Sequence, residues 1–216
     1  MMKRITVIAA GFFVASTAHA DDFRPHAYVG LGFGAAKTGD LESNVNDLQR
    51  SLAQQGLSTD AEYKDVAQAF SLMAGYRFHP SFALEAQYTY LGKFTADIHG
   101  RNYPVNAHVE ARAQGFGLAG AVFLPVGQQA ELFAKAGLFS SSFEAETSAS
   151  SYRYSYSDSF SSRSTNPWLG VGLQIQTSAN SKLRIEYEYY DKIGKKDGEF
   201  DGSNVDALMV SAQFSF

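Results

Sequence analysis

Eight stretches of the chain alternate apolar and polar or small side chains with a period of two, the spacing that a β-strand imposes. The first covers 27–35, with Val29, Leu31 and Phe33 facing away from Gly30, Gly32 and Gly34. In 70–78, Phe70, Leu72, Tyr76 and Phe78 oppose Ser71, Gly75 and Arg77. In 82–91, Phe82, Leu84, Tyr88 and Tyr90 oppose Glu85, Gln87 and Thr89. A fourth, about 110–124, sets Phe116, Leu118, Val122 and Leu124 against glycines and alanines, and Arg112 and Gln114 blur its outer end as a bulge would. The fifth (130–140) places Glu131, Phe133, Lys135 and Phe139 opposite a face of Leu and Ala, and the sixth (168–176) alternates Leu169, Val171, Leu173 and Ile175 with Gly170, Gly172, Gln174 and Gln176. In the seventh, LRIEYEYYD (183–191), Leu183, Ile185, Tyr187 and Tyr189 alternate with Arg184, Glu186, Glu188 and Tyr190. The eighth, 207–216, ends in Phe214 and Phe216.

Period alone does not say which face is inside. In a soluble sandwich the apolar face is the core; in a membrane barrel it meets lipid. Two features favour the barrel. The segments run about 9–11 residues, the length with which a tilted strand crosses a bilayer. Their polar faces hold small residues and isolated charges, which suits a crowded barrel interior better than a water-facing sheet. Connections alternate between short (79–81, 125–129, 178–182) and long (37–68, 92–109, 141–167, 192–206), as periplasmic turns and external loops do. The expected fold is all-β: an eight-stranded antiparallel transmembrane β-barrel with long external loops and both termini in the periplasm.

The N-terminus fits this placement. Lys3 and Arg4 precede an apolar run, 5–14, and Ala18-His19-Ala20 closes it, so residues 1–20 read as a cleaved signal peptide and 21–216 as the barrel domain. Removing Lys3 and Arg4 from the 18 basic residues leaves 16 against 22 acidic ones, a net charge of −6. That balance gives no reason to expect nucleic-acid binding. No cysteine is present, which excludes disulfides and thiolate metal sites. Mean hydropathy is −0.20 with 14% aromatic residues, a β-rich mixture, and no later run is long enough for a transmembrane helix.

The residues also resemble a known family, the transmembrane domain of outer membrane protein A and its small-barrel relatives. The likeness is carried by GYRFHPSFALEAQYTYLG (75–92), LPVGQQAELFAKAGL (124–138), GVGLQIQTSANSKLRIEYEYYD (170–191) and LMVSAQFSF (208–216). It implies the outer membrane of a Gram-negative-type envelope, surrounded by outer-membrane lipid and lipopolysaccharide. It also implies recognition of the C-terminal strand by the barrel-assembly machinery, through an assembly signal that Phe214 and Phe216 match. The chain ends at the eighth segment, so the likeness does not extend to the family's peptidoglycan-binding domain. Ala119 and Ala121 stand on the fourth segment where a basic lumen residue is expected.

Parity points Glu85, Lys135, Arg184, Glu186, Arg77 and Gln174 into the lumen. Unpaired charges there carry a large desolvation cost, so pairing is expected, with Glu85 and Glu186 accepting and Arg184 and Lys135 donating. The resemblance implies one inward Glu–Arg pair at Glu85 and Arg184.

Other motifs carry less. Gly115-Phe-Gly117-Leu-Ala-Gly120 matches a dinucleotide fingerprint but lies inside a strand rather than at a helix start. Asp197, Glu199 and Asp201 imitate an EF-hand start, yet the twelfth position is Leu208, so a solvated acidic loop is expected. His79 and Ser81 share a tight turn, and His108 with Glu110 forms the only candidate dyad, without a serine on its own strand. Leu41, Val45, Leu48 and Leu52 predict a short amphipathic helix in 37–68. Tyr152, Tyr154 and Tyr156 predict a hairpin in 141–167 that projects beyond the membrane, and both loops are candidate sites for an external ligand. No catalytic residue, cofactor or metal is expected. The function that follows is non-enzymatic: envelope integrity and surface-loop interaction of an adhesive kind. The alternatives are a narrow or gated pore and, behind it, an outer-membrane lipid hydrolase.

Overall fold

The computed structural model describes residues 23–39, 41–54, 59–100, 105–151, 155–195 and 201–216. The expected signal peptide lies outside them, as do Asp197 and Glu199. In chain order the elements are β1 (His26–Thr38), α1 (Leu41–Gln54), β2 (Thr59–Lys64), β3 (Val66–His79), β4 (Phe82–Gly100), β5 (Val105–Pro125), β6 (Ala130–Ser151), β7 (Ser155–Gln176), β8 (Ser181–Ile193) and β9 (Ser203–Ser215).

Eight of these strands close an antiparallel barrel. The hydrogen-bonded order runs β4-β3-β1-β9-β8-β7-β6-β5, and β5 returns to β4. Closure leaves no free edge at bilayer depth, as hydrocarbon requires. Tight turns join β3 to β4, β5 to β6 and β7 to β8; Val126 N donates to Ala130 O at 2.8 Å and Thr177 N to Ser181 O at 2.9 Å.

The alternation decides which side chains go inside. Phe116 and Leu118 on β5 are 68% and 70% exposed, and Leu183, Ile185 and Tyr187 on β8 also face out. Between them Arg184, Glu186 and Glu188 are buried. The apolar face therefore meets lipid, and the charged face fills the lumen.

The structure departs from the sequence pattern in three places. The eight barrel strands run 13–22 residues, not 9–11, and most of 92–109 and 141–167 is paired strand rather than loop. Above the membrane both faces of a strand are wet, so the chain keeps its ladder hydrogen bonds while the apolar period disappears. Second, the bulge lies on β4, opposite the blurred stretch of β5, with the register shifting between Tyr90 and Gly92. Below it odd-numbered residues of β4 point inward; above it Gly92, Phe94, Ala96 and Ile98 do. Gly92 has φ +92°, and a Cβ there would sit 2.5 Å from that of Ala67, so the bulge needs glycine. Third, β2 is an unforeseen ninth strand. It pairs with the outer end of β4, from Lys64↔Thr95 to Thr59↔Gly100, and continues through Asp65 into β3. The helix expected in 37–68 is α1, although the packing of Leu41, Val45, Leu48 and Leu52 lies outside the described residues.

Candidate functional site in the barrel lumen and outer sheet

The lumen is filled in tiers. At the periplasmic end Arg77 forms a bidentate pair with Glu131, at 3.0 and 2.7 Å. Glu131 also accepts from Lys182 at 2.7 Å and from Gln174 at 2.5 Å, and Arg77 stacks 4.3 Å over the Phe123 ring. In the next tier Arg184 Nη1 donates to Glu85 at 2.8 Å, Tyr28 OH donates to the same oxygen at 2.6 Å, and the guanidinium lies 3.7 Å over Phe133. One tier higher Lys135 Nζ donates to Glu188 at 2.7 Å and to Gln87 at 2.8 Å. It also lies 2.7 Å from Glu186, as an ion pair that is not aligned as a hydrogen bond, and 4.1 Å over Trp168.

Four carboxylates (Glu85, Glu131, Glu186, Glu188) thus meet four cations (Arg77, Lys135, Lys182, Arg184). The low dielectric that would penalise a lone charge makes these multiply bonded pairs tight. Above them aromatic side chains take over. Phe139, Trp168 and Tyr190 pack edge-to-face and stacked with centroids 4.7–6.1 Å apart, among buried Leu91, Phe94 and Ile193. The outer half of the lumen is an aromatic cap.

The structure brings all six lumen residues singled out by parity into this network. Glu85 pairs with Arg184, whereas Glu186 stands between Lys135 and Arg184 without an aligned hydrogen bond to either. Glu188 and Glu131, which hold Lys135 and Arg77, join the six. Both occupy the inward parity of their strands, so the same signal identifies them. Tyr28 shares the inward parity of Gly30, Gly32 and Gly34, but its bond to Glu85 is legible only in three dimensions, because β1 reaches β4 across β3. Phe214 on the last strand and Phe216 just past its end are both exposed.

The candidate dyad is redrawn. His108 Nδ1 lies 2.6 Å from Asp97 Oδ1, directly across the β4–β5 pair, while Glu110 binds Lys93 and Arg112. His108 finds its carboxylate across the ladder, and Glu110 is taken by the two cations beside it. Ser148 stands opposite His108 on β6, but no hydrogen bond joins the two. His79 Nδ1 accepts from Ser81 N within its turn, and Gly115–Gly120 lies inside β5 with strand on both sides.

Outside the closed barrel β2, β4, β5, β6 and β7 continue as an open antiparallel sheet. β3 leaves β4 after Phe70↔Tyr90 and β8 leaves β7 after Trp168↔Tyr190, yet β6 and β7 stay paired out to Ser150↔Ser155. The predicted projecting hairpin is this β6–β7 ladder; Tyr152 and Tyr154 at its tip lie outside the described residues. Between residues 155 and 167 no strand pairs with β7 on the side away from β6, among the described residues. The opposite edge, β2, carries Asp60, Glu62 and Lys64 and is met by α1, whose Gln49 donates to Thr59 O at 3.2 Å.

No curated protein matches the sequence. Solved structures that resemble the chain are Neisserial surface protein A (15% identity, 88% of this chain and 97% of that one, TM-score 0.48), Ail, the attachment invasion locus protein of Yersinia pestis (13%, 90% and 100%, 0.47), and the outer membrane protein OprG from Pseudomonas aeruginosa (11%, 88% and 96%, 0.50). At these identities the likeness concerns the fold alone. A family model, the OmpA-like transmembrane domain, matches residues 20–216. With that match over nearly its whole length, the chain belongs to the OmpA-like transmembrane domain family and is an outer-membrane β-barrel.

Proposed function

We propose that this barrel is a non-enzymatic anchor which holds an interaction surface outside the outer membrane, after export by a cleaved signal peptide. The observation that carries this reading is the open five-stranded sheet. A barrel needs only enough strand to cross the bilayer, and β6 and β7 at 22 residues each are about twice that length. The added length builds an exposed wall whose β7 edge pairs with no further strand at 155–161 among the described residues, while at 162–166 Ser162 and Asn166 donate to the carbonyls of Lys195 and Lys192. Such an edge accepts an extended peptide as an added strand.

Trimming the hairpin tests the reading. A variant that deletes 144–161, rejoining the chain at the paired residues Phe143 and Ser162, keeps the barrel and removes the β6–β7 part of the wall with its open edge. Displayed on cells, it is expected to lose adhesion to surfaces that the full chain binds, while still migrating on gels as a folded barrel. Unchanged adhesion refutes the reading. The pore alternative gains no support from a lumen capped by Phe139, Trp168 and Tyr190. Steady single-channel conductance in planar bilayers would restore it.

A further inference from the structure

The outer sheet ends in two unequal edges. β2 carries Asp60, Glu62 and Lys64 and is met by α1, the charge and cover that blunt a sheet edge. On β7, 155–159 has β6 on one side and no strand on the other, among the described residues. Tyr156, Ser157, Asp158 and Ser159 are exposed. Asp158 gathers the donors of this stretch: Ser159 N–H donates to its carboxylate at 2.9 Å and Tyr156 OH at 3.0 Å. An N–H bonded to its own strand's carboxylate is not held by the β6 ladder. The odd-numbered residues therefore direct N–H and C=O to the open side, since successive residues of a strand alternate.

This segment is complementary to itself. A two-fold axis through Ser157, normal to the sheet, lays a second copy antiparallel against it. Each Ser157 then faces the other, Ser159 of each faces Ser155 of the other, and Tyr156 of each faces Asp158 of the other. In that register the odd-numbered residues exchange about six backbone hydrogen bonds. Tyr156 OH reaches the facing carboxylate across the ladder, in place of its own. Sliding the copy by two residues in one direction sets the two Asp158 carboxylates face to face, which selects against that slip.

Symmetry decides where the second copy stands. Two copies in one membrane are the same way up, so a two-fold relating them runs along the membrane normal and brings edge donors level with donors. The antiparallel ladder needs its two-fold normal to the sheet, which turns the second barrel over. That barrel lies in a facing membrane. Leu169 is the last outward aliphatic residue of β7, and from it to Ser157 is twelve residues, roughly 41 Å along the strand and about 29 Å of height at a tilt of roughly 45°. Twice that height holds the apolar surfaces of two bilayers about 60 Å apart.

We propose that the β7 edge is a homotypic zipper between facing membranes: 155–159 of one chain adds as an antiparallel strand to 155–159 of a second copy on a neighbouring cell. The proposal rests on the adhesive reading above and names its partner. Each contact is short, and many of them in parallel between two surfaces supply the strength.

The experiment uses the full barrel refolded into two populations of phosphatidylcholine vesicles, each marked with one dye of an energy-transfer pair. Wild-type vesicles are expected to cluster, to stay dispersed when one population is bare, and to stand at the derived spacing by electron cryomicroscopy. Ser157→Lys on both populations sets like charges face to face and should slow clustering about tenfold or more, as should Ser157→Glu, whereas mixing the two variant populations should restore it. Oxidised Ser157→Cys should give a disulfide-linked dimer, because facing Cα atoms about 5.5 Å apart are within its reach, and Ser159→Cys should not. Dispersed wild-type vesicles, clustering against bare vesicles, full clustering by Ser157→Lys alone, no rescue on mixing, or equal dimer from Ser159→Cys overturns the proposal. Dispersed wild-type vesicles beside lost adhesion in the 144–161 deletion refute this pairing and leave the adhesive reading standing. Clustered vesicles beside unchanged adhesion of that deletion to foreign surfaces do the reverse. Heat-modified gel migration checks that each variant is folded.

Discussion

Replacing Glu85 with Ala removes the acceptor for two donors that have no water to turn to. Arg184 loses its 2.8 Å hydrogen bond and Tyr28 its 2.6 Å one, in a tier where Glu85 and Arg184 side chains are fully buried. Breaking a buried pair by deleting one partner costs about 3–5 kcal/mol, and orphaning a buried hydroxyl about 1–3. Arg184 keeps the face of Phe133 at 3.7 Å and a 3.4 Å approach to Glu186, which offsets part of that. The expected loss is therefore about 3–4 kcal/mol, below the sum of the two costs. Urea unfolding in lipid vesicles measures it, with Tyr28→Phe and Arg184→Met as the other corners of the cycles. The Glu85–Arg184 coupling should be about 2 kcal/mol or more, since contacting residues in one network do not act additively. A coupling near zero would mean that the two charges are separately hydrated and that the lumen tier is not a closed plug.

Other outcomes follow from the same geometry. Val210→Arg, which places a cation on the lipid face, should cost about 2–4 kcal/mol near the midplane, and Ser211→Ala on its inward neighbour within about 1; equal costs would invert the assignment of faces. Unboiled protein should migrate differently from boiled protein in SDS, because every backbone hydrogen bond of the closed barrel is internal; identical bands would contradict closure. Gly92→Val forces a β-branched residue into a positive-φ bulge against Ala67 and should cost about 1–3 kcal/mol in the same unfolding assay, with a neutral result placing the bulge elsewhere. Hydrogen bonds from Lys93, and then from Arg112, hold the Glu110 carboxyl below its ordinary value. Its contribution is present above the ordinary carboxylate range and is lost only as pH falls through the lowered value, so an NMR midpoint at or above about 4.3 would rule the clamp out.

The sequence by itself determined the parity of each membrane-crossing strand. Hydrocarbon admits no charged face, so the outward positions of these segments are apolar and the charges fall on the other parity, and alternation writes both surfaces directly into 183–191 and its counterparts. That made Glu85, Lys135, Arg184 and Glu186 legible as lumen residues, and the short turns gave the strand order. Which cation meets which carboxylate is a different matter. Lys135 hydrogen-bonds Glu188, and Arg77 takes Glu131, because strand register and tilt set the height of each side chain, and register is fixed by pairing between strands distant in sequence. The same holds above the bilayer. There water meets both faces, the apolar period fades, and only the ladder shows that 92–100 and 155–167 are strand, that β2 joins the sheet, and that His108 faces Asp97.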